Sequence, residues 1–193
     1  CLNWGCIPTK ALLKSGEIYE QLSHLSGYGL SVQGASFDFT KIIERARGVA
    51  KQMSGGIAFL MKKHKITVHM GEGKLTAPGK LEVKGEKGAE TLTAKNIIVA
   101  TGARARDLPF APADGKRIWT YRHALVPPEM PKKLLVIGSG AIGIEFASFY
   151  KDMGAEVTVV EMLDRLVPVH KVTDLTAQGA HVERELALVK VRG

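Results

Sequence analysis

The stretch from Lys133 to Glu161 constrains the fold most. Lys133-Leu-Leu-Val-Ile137 is an apolar run of strand length. It runs into Gly138-Ser-Gly140-Ala-Ile-Gly143, a helix is expected over Ile144 to Asp152, and a second strand follows over Glu156-Val-Thr-Val-Val-Glu161. Strand, glycine turn, helix and strand in this order are the fingerprint of a dinucleotide-binding β-α-β unit. The glycines permit a tight turn, close approach of a pyrophosphate and close packing of helix on strand. The helix N-terminus offers unpaired N–H groups and the positive end of a dipole to the phosphates. Glu161 ends the second strand, where an acid can accept the ribose hydroxyls, which favours NAD over the 2′-phosphorylated cofactor. The NAD-binding candidates are therefore Gly138, Ser139, Gly140, Ala141, Ile142, Gly143 and Glu161.

The second constraint is the opening segment, Cys1-Leu-Asn-Trp-Gly-Cys6-Ile-Pro-Thr-Lys10, which holds both cysteines of the chain. A close pair with no others points to redox or metal chemistry, not to a framework of structural disulfides. Zinc is disfavoured, since a closed site takes about four ligands and no second pair or nearby histidine supplies the rest. On a regular helix Cys1 and Cys6 would lie on different faces, whereas bonded cysteines bring their Cα atoms within about 7 Å. A bond between them needs a distorted segment, and Gly5 gives the backbone that freedom. Pro8 suits the first turn of a following helix. A thiol near a helix N-terminus and a lysine is a stronger nucleophile. The plainer alternative is two buried, inert cysteines.

At 193 residues the chain holds one or two domains. It has no run of about 18 apolar residues, so no membrane span is expected. No charged-then-apolar leader is visible, and thiol chemistry fits a reducing compartment such as the cytoplasm. The net charge of +8 could suit nucleic acid, but the lysines are scattered and aromatics do not interleave with them. A solvated basic surface is the better reading, with no nucleic-acid partner. The chain opens at Cys1 and not at Met, which reads as the sign of a fragment.

Between these two features, residues 10–24 read as a helix with an apolar stripe of Ala11, Leu12, Ile18, Leu22 and Leu25. A longer helix is expected from Asp38 to His64, carrying Ile42, Ala46, Val49, Met53, Ile57 and Leu60 at helical spacing and interrupted at Gly55-Gly56. Residues 66–95 change to short alternating segments separated by Pro78-Gly79 and Gly85-Glu-Lys-Gly88, a small antiparallel meander that includes Ile66 to Met70. Gly71-Glu-Gly73 reads as a turn. Asn96-Ile-Ile-Val-Ala100 reads as a buried strand opening into Thr101-Gly102, and Pro127-Pro128 with Pro131 marks a linker.

Cys-Leu-Asn-Trp-Gly-Cys-Ile-Pro-Thr-Lys-Ala-Leu-Leu resembles the redox-active motif of the flavoprotein disulfide reductases, most closely their dihydrolipoyl dehydrogenase branch. The resemblance implies a disulfide between Cys1 and Cys6. Cys1 is then the thiol that exchanges with the dihydrolipoyl substrate, and Cys6 the one that faces the flavin. It implies that Lys10 lies beside the flavin ring, paired with Glu145. It also implies that Gly73, Ala100, Thr101 and Gly102 contact the FAD. The implied enzyme is a homodimer that serves the lipoyl domain of a 2-oxo acid dehydrogenase complex and passes electrons through FAD to NAD⁺. Glutathione and mercuric reductases share the cysteine motif, but Glu161 and the Ile7-Pro-Thr-Lys-Ala-Leu-Leu continuation argue against them. The implied fold class is α/β. A partial FAD-binding domain with its meander spans 1–126, and the start of a Rossmann-like NAD-binding domain spans 127–168.

After Pro168 the reductase resemblance stops. The tail, 169–193, with Ala180-His-Val-Glu-Arg-Glu-Leu186, resembles the regulatory small subunit of acetolactate synthase. That reads as a join between two sequences near Leu166 to Val169, against the alternative of a divergent tail. If the tail were the true identity, the chain would be a non-catalytic regulatory module. His181 is not the family's catalytic histidine, because the interface motif that carries that residue is not present. A chain without that base, the first flavin-binding glycine motif and the interface domain is expected not to turn over by itself.

Overall fold

The computed structural model describes residues 1–106 and 108–162. The proposed join and the tail, with His181, lie outside the described residues. The chain forms an α/β arrangement that divides into two compact units, one of Cys1–Met53 with the segment from Asp107 onward, the other of Ser54–Arg106.

The first unit holds α1 (Cys6–Gln21), the short α3 (Tyr121–Ala124), α4 (Ala141–Asp152) and the part of α2 up to Met53, α2 as a whole spanning Phe39–Lys63. Strands β4 (Lys133–Ile137) and β5 (Glu156–Val160) pair in parallel, from Lys133 opposite Glu156 to Ile137 opposite Val160. With α4 between them they form the expected β-α-β unit, the helix starting three residues earlier than the sequence suggested, at Ala141.

The core of this unit gathers Ala11 and Leu12 of α1, Ala46 of α2, Leu125, and Phe146, Phe149, Tyr150 and Met153 around α4. Phe146, Phe149 and Tyr150 follow the three-and-four spacing that puts side chains on one helix face. Fully burying each large apolar side chain contributes about 1.5–3 kcal/mol. Phe39 stacks on Phe149 at 6.4 Å, and Phe149 meets Tyr150 edge-on at 5.1 Å. Gly16 lets α1 approach α4 closely: a Cβ there would lie 3.4 Å from Phe149 Cδ2 and from Asp152 Cβ.

The buried face of α1 is Pro8, Thr9, Ala11, Leu12 and Gly16; it includes Ala11 and Leu12 of the expected stripe but not Ile18, which is half exposed. The face turns toward Gly16, where α4 lies so close that only a short side chain fits. On α2, Ala46 and Ala50 are fully buried, while Met53, Ile57 and Leu60 are exposed. Gly55-Gly56 does not interrupt this helix, which runs unbroken for 25 residues.

In the second unit, β1 (Glu72–Ala77), β2 (Lys80–Gly85) and β3 (Gly88–Thr93) form an antiparallel sheet in that order. Leu75 faces Leu81, Leu81 faces Leu92, and Val83 is buried. Pro78-Gly79 joins the first hairpin with Gly79 at φ +70°, as a proline-glycine turn demands.

Two expected strands of this unit do not form. Ile66 to Met70 and Asn96 to Ala100 pair with no strand among the described residues, and Ile98 and Met70 are 92% and 82% exposed. A β-branched run forms a strand only where a neighbour bonds its edge in register; His69 bonds Glu90 of β3 through side chains, and Ile97 and Val99 lie near Leu75 to Gly79, but neither segment joins the ladder. No helix among the described residues is long and apolar enough to cross a membrane.

Candidate active site: a redox disulfide and a glycine cradle

Cys1 and Cys6 form a disulfide, with their Cα atoms 4.5 Å apart. The helix begins at Cys6 itself, so the segment between the cysteines is a loop and not a helical turn. Gly5 is required here by close approach: a Cβ would lie 3.0 Å from the Cα of Cys1. The loop is closed further by the Ile7 N–H donating to the Cys1 carbonyl at 3.1 Å. Thr9, itself buried, donates both its N–H (3.1 Å) and its hydroxyl (2.8 Å) to the Gly5 carbonyl. Both cysteines are exposed, so the alternative of two buried, inert thiols does not hold.

Cys6 is the first residue of α1, and no side chain caps that end. The positive end of the helix dipole there favours negative charge, which lowers the cost of a thiolate. Lys10 stands one turn on, and its ammonium donates to the carboxylate of Glu145 on α4. The structure thus brings together Cys1, Cys6, Lys10 and Glu145, which lie up to 144 positions apart in the sequence.

Just before α4, Gly138 takes φ +97° and its N–H donates to the Val160 carbonyl at 2.8 Å, turning the chain sharply off β4. A Cβ on Gly143 would lie 2.3 Å from the Gly138 carbonyl oxygen and 3.2 Å from Val136 Cγ1, so only glycine lets the helix pack on the strand. Gly140 differs. It is the N-cap residue, its side-chain position meets nothing within 4 Å, and no side chain caps the helix. Open space in front of uncapped amides is what a pyrophosphate requires. Ser139 is fully buried, while Ala141 and Ile142 are exposed beside the turn. Glu161 reaches back across the turn and accepts the Ser139 N–H at 2.8 Å and its hydroxyl at 2.7 Å.

The flavin candidates lie in the second unit. Ala100, Thr101 and Gly102 are exposed, and Gly102 takes φ +79° with nothing near its side-chain position. The expected turn at Gly73 is not one: Gly73 lies within β1 opposite Val83. The constrained glycine is Gly71, where a Cβ would lie 2.5 Å from the Lys84 carbonyl oxygen, so its closeness is to the chain's own backbone.

Sequence reasoning missed Trp4, Arg47 and Arg122. Trp4 lies inside the disulfide loop, with the Arg47 guanidinium 4.3 Å and that of Arg122 5.6 Å from its ring centre. Two arginines on separate helices carry no motif that could have signalled this.

The family profile described as pyridine nucleotide-disulphide oxidoreductase matches residues 1–189. The chain is 56% identical over 169 residues to a dihydrolipoyl dehydrogenase of Zymomonas mobilis, covering 87% of this chain and 36% of that protein. It is 50% identical over 185 residues to one of Rhizobium etli, covering 88% and 38%. Among solved structures, LpdA of Mycobacterium tuberculosis superposes with a TM-score of 0.76 at 29% identity, covering 85% of this chain and 36% of that one. The copper complex of a variant of the HOCl-induced flavoprotein disulfide reductase RclA of Escherichia coli gives 0.69 at 25% identity, covering 86% and 34%. The chain thus spans a little over a third of the length of these curated relatives. An exposed disulfide at a helix start, a lysine–glutamate pair beside it and a glycine cradle answered by an acid, together with these matches, place the chain in the pyridine nucleotide-disulphide oxidoreductase family.

Proposed function

We propose that this chain carries the redox disulfide and the nucleotide loop of a dihydrolipoyl dehydrogenase. The single observation that carries the reading is the exposed Cys1–Cys6 disulfide at the uncapped start of α1. High identity to proteins of that name supports it.

A dihydrolipoyl thiolate attacks the sulfur of Cys1, the Cys1–Cys6 bond breaks, and its electron pair leaves on Cys6. The positive end of the α1 dipole favours that thiolate. The second substrate thiol then displaces Cys1, closing the lipoyl disulfide. The protein has gained two electrons and two protons, and the substrate has lost them. Lys10, held by Glu145, keeps a positive charge one turn from Cys6.

The residues present fit both cofactors. Gly138, Ser139, Gly140, Ala141, Ile142 and Gly143 would hold the NAD pyrophosphate, because Gly140 leaves open space before uncapped amides. Glu161 would accept the ribose hydroxyls. Ala100, Thr101 and Gly102 would offer exposed backbone and a hydroxyl to FAD, whereas Gly73 is paired within a sheet; Lys10 on α1 is a separate candidate for contact with FAD. Bound FAD supplies an acceptor for the dithiol's electron pair and NAD⁺ an acceptor for hydride. The domain division at residue 126 and the pairing with a lipoyl domain in a homodimer belong to the same reading.

Cys1→Ser and Cys6→Ser, made separately in the longest natural polypeptide carrying this sequence, are expected to abolish NADH formation from dihydrolipoamide. Activity that persists unchanged in either variant overturns the reading.

A further inference from the structure

We propose that Arg47 and Arg122 are positioning residues for the redox disulfide, gripping Trp4 so that the Cys1–Cys6 loop keeps its shape when the sulfur–sulfur bond opens. This rests on the redox reading of that disulfide and adds a device that sets its equilibrium. Trp4 lies between the two cysteines and presents its ring to both guanidiniums, at 4.3 and 5.6 Å. Both distances are within reach of a cation–π attraction. Arg47 also donates to the carbonyl of Asn3, so it holds the loop at a ring and at the adjacent backbone.

The anchors are firm where the loop is exposed. Arg47 sits on α2 between Ala46 and Ala50, both fully buried. Arg122 sits on α3, which leads directly into the fully buried Leu125. Cys1, Asn3, Trp4 and Cys6 are exposed. Once the disulfide is reduced by two electrons and two protons, its covalent closure is lost. The sulfurs then stay within reach only as far as other contacts hold the loop. A gripped loop keeps their effective concentration high and favours re-closure. A freed loop gains conformations that only the dithiol form can use.

The sign separates this from a plain charge effect. Removing a grip shifts the equilibrium toward dithiol. Removing a positive charge that stabilised a thiolate shifts it toward disulfide. Lysine keeps the charge of arginine but not its planar, stacking fork.

The test equilibrates the longest natural polypeptide carrying this sequence in buffers of reduced and oxidised dithiothreitol, traps free thiols by alkylation, and weighs the products. Arg47→Ala and Arg47→Lys are both expected to raise the dithiol-to-disulfide ratio about three- to tenfold, tenfold being about 30 mV for two electrons. Arg122→Ala, on a different helix, is expected to shift it the same way by less. A ratio unchanged in all three variants overturns the inference. So does a shift toward disulfide in Arg47→Ala that Arg47→Lys restores. Native cysteines that never exchange with dithiothreitol overturn the redox reading itself, and the inference with it.

Discussion

Glu161 and Ser139 lie 22 residues apart and are joined through a single carboxylate oxygen, which accepts both the serine N–H and the serine hydroxyl. The other oxygen accepts the N–H of Met162 at 2.7 Å. The acid is therefore fixed at the carboxyl ends of β4 and β5, beside the mouth of the glycine turn. A fixed acceptor favours ribose hydroxyls there, and a fixed negative charge opposes a 2′-phosphate.

Glu161→Ala is accordingly expected to weaken NAD⁺ binding about tenfold, the scale of one hydrogen bond to a charged group. It should also narrow the discrimination against NADP⁺. Equilibrium titration with both nucleotides measures this, and an unchanged affinity ratio would show that the carboxylate only staples Ser139.

Gly140 and Gly143 should separate binding from folding. A Cβ on Gly143 collides with backbone at 2.3 Å, which no side-chain rotation relieves. Gly143→Ala is expected to destabilise the chain by about 1–3 kcal/mol or more, as overpacking does. Gly140 has φ −63° and open space around it. Gly140→Ala should leave the denaturation midpoint nearly unchanged and weaken dinucleotide binding, because the methyl group stands where phosphate must approach. Equal unfolding effects in the two variants would reject this division of labour.

The same two glycines show how far the sequence was legible. Strand, turn, helix and terminal acid follow from local residue types, so β4, α4, β5 and the place of Glu161 were readable. So was the meander, where Pro78-Gly79 and Gly85 to Gly88 set the turns. Asn96 to Ala100 misled because a β-branched run states a preference that only neighbouring strands can satisfy. Ile18 misled because the stripe of α1 is set by what α4 can accept, which periodicity cannot see. Gly73 misled because a Gly-x-Gly triplet marks a turn as readily as the start of a strand. Trp4, Arg47 and Arg122 meet only after the helices pack, and their spacing carries no trace of it.

The Lys10–Glu145 pair should matter to chemistry more than to stability. The Lys10 side chain is 64% exposed and that of Glu145 27%, and pairs so open to water contribute about 0–1 kcal/mol. Glu145→Gln is expected to lower the unfolding free energy by less than about 1 kcal/mol. Lys10 would then lose its orienting partner one turn from Cys6, and reduction of the disulfide by dihydrolipoamide should slow severalfold. Stopped-flow reduction alongside chemical denaturation distinguishes the two effects. A large stability loss with an unchanged reduction rate would make the pair structural.

Tyr150 gives a pH dependence of definite sign. It is fully buried, and its hydroxyl donates to the Ala124 carbonyl at 2.7 Å. Burial pushes its pKa well above the ordinary phenol range, because the phenolate would lose its hydration. Above about pH 10 the unfolded chain releases this proton while the folded chain keeps it. The unfolded state then binds fewer protons, so stability present below about pH 10 is lost as the pH rises. Tyr150→Phe removes both the hydrogen bond and the titration. At neutral pH the variant should be less stable by about 1–2 kcal/mol, since the carbonyl loses its donor. Between about pH 10 and 11.5 it should lose stability less steeply than the native chain, so the gap between them shrinks. Denaturant midpoints at about pH 7 and 11 test this. A gap that holds or widens would mean that the hydroxyl ionises in the folded protein, and that Tyr150 is not sealed in the core around α4.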